Sequence, residues 1–143
     1  MHVRVAGVLL KGSTILMVKH HKCGRDYWLL PGGRIATGEY SARALKREFL
    51  EELQLEVDVG ELLFVVETVF SVDEHIIQPT FLVEAKSLKY MGRGKDERVV
   101  DFGFFNHDDL RKLIIYPDIG EELSEFILNG KVKNRYLLKK WID

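Results

Sequence analysis

The sequence predicts an α/β fold in which a mixed β-sheet carries helices on both faces. Three observations predict it. β-branched and apolar runs recur along the chain, bounded by turn residues. Residues 38–53 switch to apolar spacings of three and four, the helical period. Beyond a further strand, two helical patterns follow near the end of the sequence.

Residues 3–10 read as the first strand, Lys11-Gly12-Ser13 as a tight turn and residues 14–18 as the second strand of a hairpin. Residues 20–26 are polar and contain glycine, which suggests a loop. Tyr27-Trp28-Leu29-Leu30 is a short strand stopped by Pro31-Gly32-Gly33. In the helix over residues 38–53, Thr37 is the expected N-cap and Glu39 lies in the first turn, where the helix dipole favours an acid. Ala42, Leu45, Phe49 and Leu53 fall on one stripe, the expected core face. Residues 62–70 and 76–85 are strands separated by polar residues 71–75. Residues 89–98 form a charged loop and residues 99–105 another strand. Residues 108–113 and 117–128 read as helices, while 135–142 fits either type.

The 143 residues fit a single domain spanning 1–143, long enough to bury a core without disulfides. The net charge of −1 supplies no field to recruit duplex nucleic acid or a membrane surface, although one local cationic site could still hold a polyphosphate. Cys23 is the one cysteine, so no internal disulfide or multi-cysteine zinc site forms, and a reducing compartment fits. No signal peptide pattern follows Met1, and no apolar run reaches the length of a membrane span. A cytoplasmic location is the default expectation.

Glu48, Glu51 and Glu52 stand at i, i+3 and i+4, so they share one helix face. They also lie near the helix C-terminus, where the dipole disfavours acids. Only Arg47 is placed to compensate Glu51. Two readings stand: a solvated acidic face, or a site for a hard divalent cation such as Mg²⁺ or Mn²⁺. Immediately upstream, Pro31-Gly32-Gly33 makes a turn whose backbone can approach a ligand closely.

These residues spell a family motif. Gly33, Glu39, Arg47, Glu48, Phe49, Glu51, Glu52 and Leu55 match in register the Nudix box, Gly-x5-Glu-x7-Arg-Glu-U-x-Glu-Glu-x-Gly-U, where U is bulky and aliphatic. Phe49 departs from the aliphatic position, and Gln54 stands where the box has glycine. That glycine lets the chain leave the helix in a left-handed conformation, which costs another residue on the order of 1 kcal/mol. The box covers 23 of 143 residues, and the order of strands and helices around it also resembles this family.

The resemblance implies an α/β/α sandwich and a hydrolase of diphosphate bonds, a nucleotide pyrophosphatase using Mg²⁺, with Mn²⁺ as the alternative. It assigns Glu48, Glu51 and Glu52 to the metal, Glu48 and Glu52 foremost, joined by the carbonyl of Gly32 or Gly33. Glu39 and Arg47 would brace the loop against the helix. The general base would be Glu48 or an acid on a distant loop, for which Glu97 and Asp101 are the candidates; acids on charged loops are more often simply solvated.

Substrate-binding candidates are Arg4, Lys22 and Arg25 for phosphates, beside Gly32 and Gly33. Tyr27, Trp28 or Phe70 could stack a base, though aromatics there are more often core or cleft wall. His75 in its turn and Cys23 in its loop carry no clear role. The expected substrate is a small nucleotide: ADP-ribose or another nucleotide sugar, a (deoxy)nucleoside triphosphate or a dinucleoside polyphosphate. Alternatives are a non-catalytic nucleotide sensor, an isoprenoid diphosphate isomerase and an RNA-end pyrophosphohydrolase. A homodimer is an expectation carried by analogy with relatives.

Overall fold

β1 (His2–Lys11) and β2 (Thr14–Lys22) form the expected first hairpin. The computed structural model describes residues 1–72 and 74–140, and the Phe70 side chain, a stacking candidate above, lies outside the described residues. β2 continues past Val18 and turns at Cys23-Gly24 into β3 (Arg25–Leu29), so the loop expected over residues 20–26 is a second hairpin. Cys23 and Gly24 both take positive φ, 53° and 76°, the two-residue turn that follows strand twist. Polar residues hide this strand from a hydrophobicity reading because its end faces solvent.

β4 (Gly32–Arg34) pairs with β1, and α1 (Ser41–Leu53) follows. β5 (Val57–Ser71) and β6 (Glu74–Ala85) form a long antiparallel pair, and β6 lies parallel to β1. β7 (Val99–Phe105) pairs with β2. α2 (His107–Lys112) and α3 (Gly120–Asn129) precede β8 (Tyr136–Lys139), which runs parallel to β5 and makes the ambiguous tail a strand. The sheet order is β3-β2-β1-β6-β5-β8, with β4 on β1 and β7 on β2, a mixed sheet as expected.

Alternation along β1 builds the two cores. Val5 and Leu9 point to the layer that holds Leu45, Phe49 and Leu53 of α1. Ala6 and Val8 point to the opposite layer, with Leu110 of α2 and Leu123 and Phe126 of α3. Gly7, between Val5 and Leu9, leaves space for the Phe49 ring: a Cβ there would lie 2.8 Å from Phe49 Cε2.

Three local expectations for α1 are corrected. Thr37 is not its N-cap: Gly38 takes φ +82°, a left-handed turn outside a right-handed helix, and the helix opens after Tyr40, which makes no side-chain cap bond. Glu39 therefore precedes the first turn. Ala42 is exposed and Ala44 is buried in its place, because the buried face also takes in Glu48 and Glu52 and is centred on their side of the apolar stripe.

Candidate active site

The buried face of α1 carries acids as well as hydrocarbon. Glu48 is 4% and Glu52 0% exposed. Carboxylates do not go into a core without partners, and these have fewer than they need. Glu52 Oε1 accepts the Gly32 N–H at 2.8 Å, while Glu52 Oε2 is buried with no hydrogen-bond partner. Glu48 Oε1 accepts from Arg47 Nη1 at 2.9 Å, and Glu48 Oε2 is likewise unpartnered. Burial, then the nearby Glu52 charge, pushes the Glu48 carboxyl up to about 7.

The two glycines of the turn are required by contact. A Cβ on Gly32 would meet the Val5 carbonyl oxygen at 2.0 Å, and one on Gly33 would meet the Glu48 carboxyl at 2.4 Å. The backbone of β4 can thus lie directly against both acids.

Arg47 holds the loop ahead of α1. Its Nε donates to Glu39 Oε2 at 2.9 Å, Nη2 to Glu39 Oε1 at 3.0 Å and Nη2 to the Arg34 carbonyl at 3.3 Å. Glu39 also accepts the Ala36 N–H at 3.1 Å, and these bonds, the Arg47 fork first, lower its carboxyl to about 2. Glu51 approaches the same guanidinium at 3.3 Å but is 45% exposed in its side chain. Arg47 is thus shared among Glu39, Glu48 and Glu51.

A cleft of about 720 Å³ opens beside these acids. Gly32 and Gly33 line it together with Arg4, Lys22, Arg25, Arg34 and Arg98, so its walls are strongly cationic. Tyr27 and Tyr116 line one side and stack on each other at 4.4 Å between centroids. His20 also lines it and brings Nε2 to 3.8 Å from Glu52 Oε2. Arg4 is buried, and its guanidinium donates to Gln78 Oε1 at 2.8 Å and the Leu30 carbonyl at 2.7 Å, with Glu52 and Glu48 as nearby charges.

Of the sequence candidates, Arg4, Lys22, Arg25, Gly32, Gly33 and Tyr27 are brought together here. Trp28 is not: it packs edge-on against Phe105 at 4.8 Å. Glu97 is exposed and does not line the cleft, and Asp101 is exposed on β7, opposite Lys19. His75 pairs with Glu67. Cys23 is exposed at the cleft mouth.

The residues 92–98 loop instead delivers Arg98. Gly92, Gly94 and Asp96 donate their N–H groups to the carbonyls of Leu53, Glu52 and Glu51, each at 3.0 Å. A Cβ on Gly94 would lie 2.2 Å from the Glu51 carbonyl oxygen, so only glycine permits this approach. Asp96 then grips Arg98 at 2.8 Å and 3.0 Å, holding the Asp96 carboxyl below its usual range.

This geometry has a counterpart among known proteins. The NUDIX domain family profile matches residues 1–126. The chain belongs to the Nudix family. Nudix hydrolases are generally dependent on a divalent metal.

A protein of Mycobacterium tuberculosis bearing the name 8-oxo-dGTP diphosphatase 2 is 46% identical over 57 residues, a stretch that is 37% of this chain and 39% of that protein. The match thus spans about two fifths of that relative's length. The crystal structure of a Nudix hydrolase from Nitrosomonas europaea superposes with TM-score 0.80 at 19% identity, over 97% of this chain and 78% of that one. An ADP-ribose pyrophosphatase structure from Streptococcus suis gives TM-score 0.70 at 16% identity, over 96% and 98%. At those identities the two structures establish the fold.

Sequence reasoning missed Arg98, Arg34, Tyr116 and His20 as cleft residues. His20 had a signal: Leu16, Val18 and His20 alternate on one face of β2, the face toward α1. Tyr116 had none, since only the chain reversal after α2 brings it to β3, where its N–H donates to the Trp28 carbonyl.

Proposed function

We propose that this Nudix protein is a hydrolase that cleaves a diphosphate bond in a small nucleotide, with Mg²⁺ or Mn²⁺ held by Glu48 and Glu52. One observation carries the reading: two buried carboxylates, each with an unpartnered oxygen, lie against the backbone of a cationic cleft. Among the described residues no three His, Cys, Asp or Glu side chains form a ready-made cage. That suits Mg²⁺, which uses one or two carboxylates and leaves positions for phosphates and water. Glu51, drawn outward to Arg47, completes the acidic face without entering its buried part.

When bound, the cation neutralises charge on the phosphate oxygens and acidifies the attacking water. The chain's own groups do the rest. Arg25, Arg34, Lys22 and Arg98 bind and orient the diphosphate. Arg4 fixes the positive field behind the acids. Glu48 is the base we favour over the distant acids, since its carboxyl lies against Gly33 of the cleft wall while Glu97 does not line the cleft. The Tyr27–Tyr116 wall offers a flat apolar surface for a base or sugar. An ADP-ribose-type compound and a (deoxy)nucleoside triphosphate both fit, and the names of the relatives point to the same two classes.

The test is a panel of nucleoside diphosphate derivatives and triphosphates incubated with Mg²⁺, with products separated by chromatography. Turnover of one compound that disappears with EDTA and in Glu52→Gln supports the reading. Binding of a nucleotide without turnover of any compound would replace it with a sensor.

A further inference from the structure

We propose that His20 is a metal ligand of this site, a nitrogen donor that shifts its preference from Mg²⁺ toward Mn²⁺; this rests on the metal-dependent reading above. The buried atoms without hydrogen-bond partners include three in one neighbourhood: Glu48 Oε2, Glu52 Oε2 and His20 Nε2. The His20 nitrogen lies 3.8 Å from Glu52 Oε2. That separation is too long for a hydrogen bond. Adjacent donors on a cation with metal–ligand bonds of roughly 2.0–2.2 Å stand about 3 Å apart, so the two atoms reach that spacing by closing less than about 1 Å.

The setting of His20 favours a ligand over a substrate contact. Its ring packs edge-on against Tyr27 at 5.9 Å, which limits its rotation. It stands on β2, in the sheet, so the ring is held by a rigid element. Arg4, Arg25 and Arg98 already give the cleft its phosphate-binding charge. A buried imidazole nitrogen facing an unpartnered carboxylate oxygen adds something those cations cannot, an electron-pair donor. Glu48 Oε1 accepts from Arg47 Nη1, and like charge opposes the approach of Glu48 to Glu52. A cation between the three donors would offset that repulsion. Oxygen ligands alone suit both Mg²⁺ and Mn²⁺; an imidazole in the set disfavours the hard Mg²⁺ more than Mn²⁺, a first-row transition ion that accepts a nitrogen donor more readily.

The experiment is pulsed electron paramagnetic resonance on the full chain loaded with Mn²⁺ alone, looking for ¹⁴N modulation from a coordinated imidazole. The same measurement is made on His20→Ala and His20→Gln, with Mn²⁺ and Mg²⁺ affinities by calorimetry. We expect ¹⁴N modulation in the parent protein and its loss in both variants. Mn²⁺ affinity should fall at least about tenfold in both variants, since even outer-shell partners are worth that, with a smaller loss for Mg²⁺. Bound Mn²⁺ without ¹⁴N modulation overturns the role of His20 and leaves the proposed function standing. Modulation that persists in both variants also overturns it, by assigning the nitrogen elsewhere. Failure of the parent protein to bind either cation overturns the metal-dependent reading itself.

Discussion

The side-chain amide of Gln54 donates to the Arg93 carbonyl oxygen at 2.8 Å. Gln54 takes the left-handed conformation at the end of α1, φ 56°, that a glycine would adopt without cost. The exit geometry of the Nudix box is thus kept without its glycine, and the amide returns a bond that glycine lacks. Gln54→Ala keeps the strained backbone and loses the bond. It should cost about 1–2 kcal/mol in thermal unfolding. Gln54→Gly relieves the strain while losing the bond, and should be within about 1 kcal/mol of the parent. In both variants the Gly94 and Asp96 amides should exchange faster. Equal losses for the two variants would mean that the strain is absent.

The same loop separates two neighbours. Arg98 lines the cleft and Glu97 does not. Arg98→Ala should raise KM about tenfold or more, the worth of a charge-assisted hydrogen bond, with less change in kcat. Glu97→Gln should leave both constants unchanged. Steady-state kinetics on the turned-over nucleotide decide it, and a large kcat loss in Glu97→Gln would restore Glu97 as the base.

That contrast shows how far the sequence could be read. The box residues were legible because their spacing on one helix fixes their relative positions before any tertiary contact is considered. Glu48 and Glu52 are four apart and share a face wherever α1 lies. The mixed sheet was legible from β-branched and apolar runs bounded by turns and interspersed with helices, although the polar end of β2 hid the second hairpin. Arg98 and Tyr116 were not, because their places depend on contacts between segments far apart in the chain. Arg98 reaches the cleft only because Gly94 lets its loop close on the end of α1. From sequence alone, Glu97 and Arg98 belong to one charged run.

Glu52→Gln separates fold from chemistry. The amide oxygen can still accept the Gly32 N–H, so β4 should stay in place. The charge that a cation needs is gone. Turnover should fall at least about a hundredfold, as for loss of a major electrostatic contribution, with melting changed by under about 2 kcal/mol. Loss of folding, read by circular dichroism, would show the carboxylate to be structural.

Without metal, the protein should lose stability as pH rises. Glu48 stands at about 7 in the folded chain against an ordinary 4.5. The folded state therefore binds that proton more tightly than the unfolded state. The favourable contribution is fully present below about 4.5 and is lost as pH climbs through about 7. Its size is up to about 3 kcal/mol. Melting in EDTA from about pH 5 to 8 should show the decline, and Glu48→Gln should flatten it. Mg²⁺ should raise stability most at the high end, where Glu48 is ionised. A parent protein and Glu48→Gln with parallel pH curves would refute the assignment.

Phe49, which stands where the box has an aliphatic residue, is accommodated by Gly7. A methyl group on Gly7 would come within 2.8 Å of Phe49 Cε2 and 3.2 Å of Val83 Cγ1, closer than packed carbons allow. The ring is fully buried, so it cannot retreat into solvent. Gly7→Ala should therefore destabilise the protein by about 1–3 kcal/mol through overpacking. Phe49→Leu, which removes ring volume, should leave room for the added methyl. The double variant should be more stable than the sum of the single losses predicts, by about 1 kcal/mol or more. Denaturant melts of the four proteins measure this coupling. Strict additivity would mean that Val83 or the strand backbone, rather than the ring, demands the glycine. Because Glu48 precedes Phe49 on α1, the packing of Phe49 also sets how deeply the helix seats its acids. Gly7→Ala should therefore weaken Mn²⁺ binding as well, and Phe49→Leu in the same chain should restore part of it.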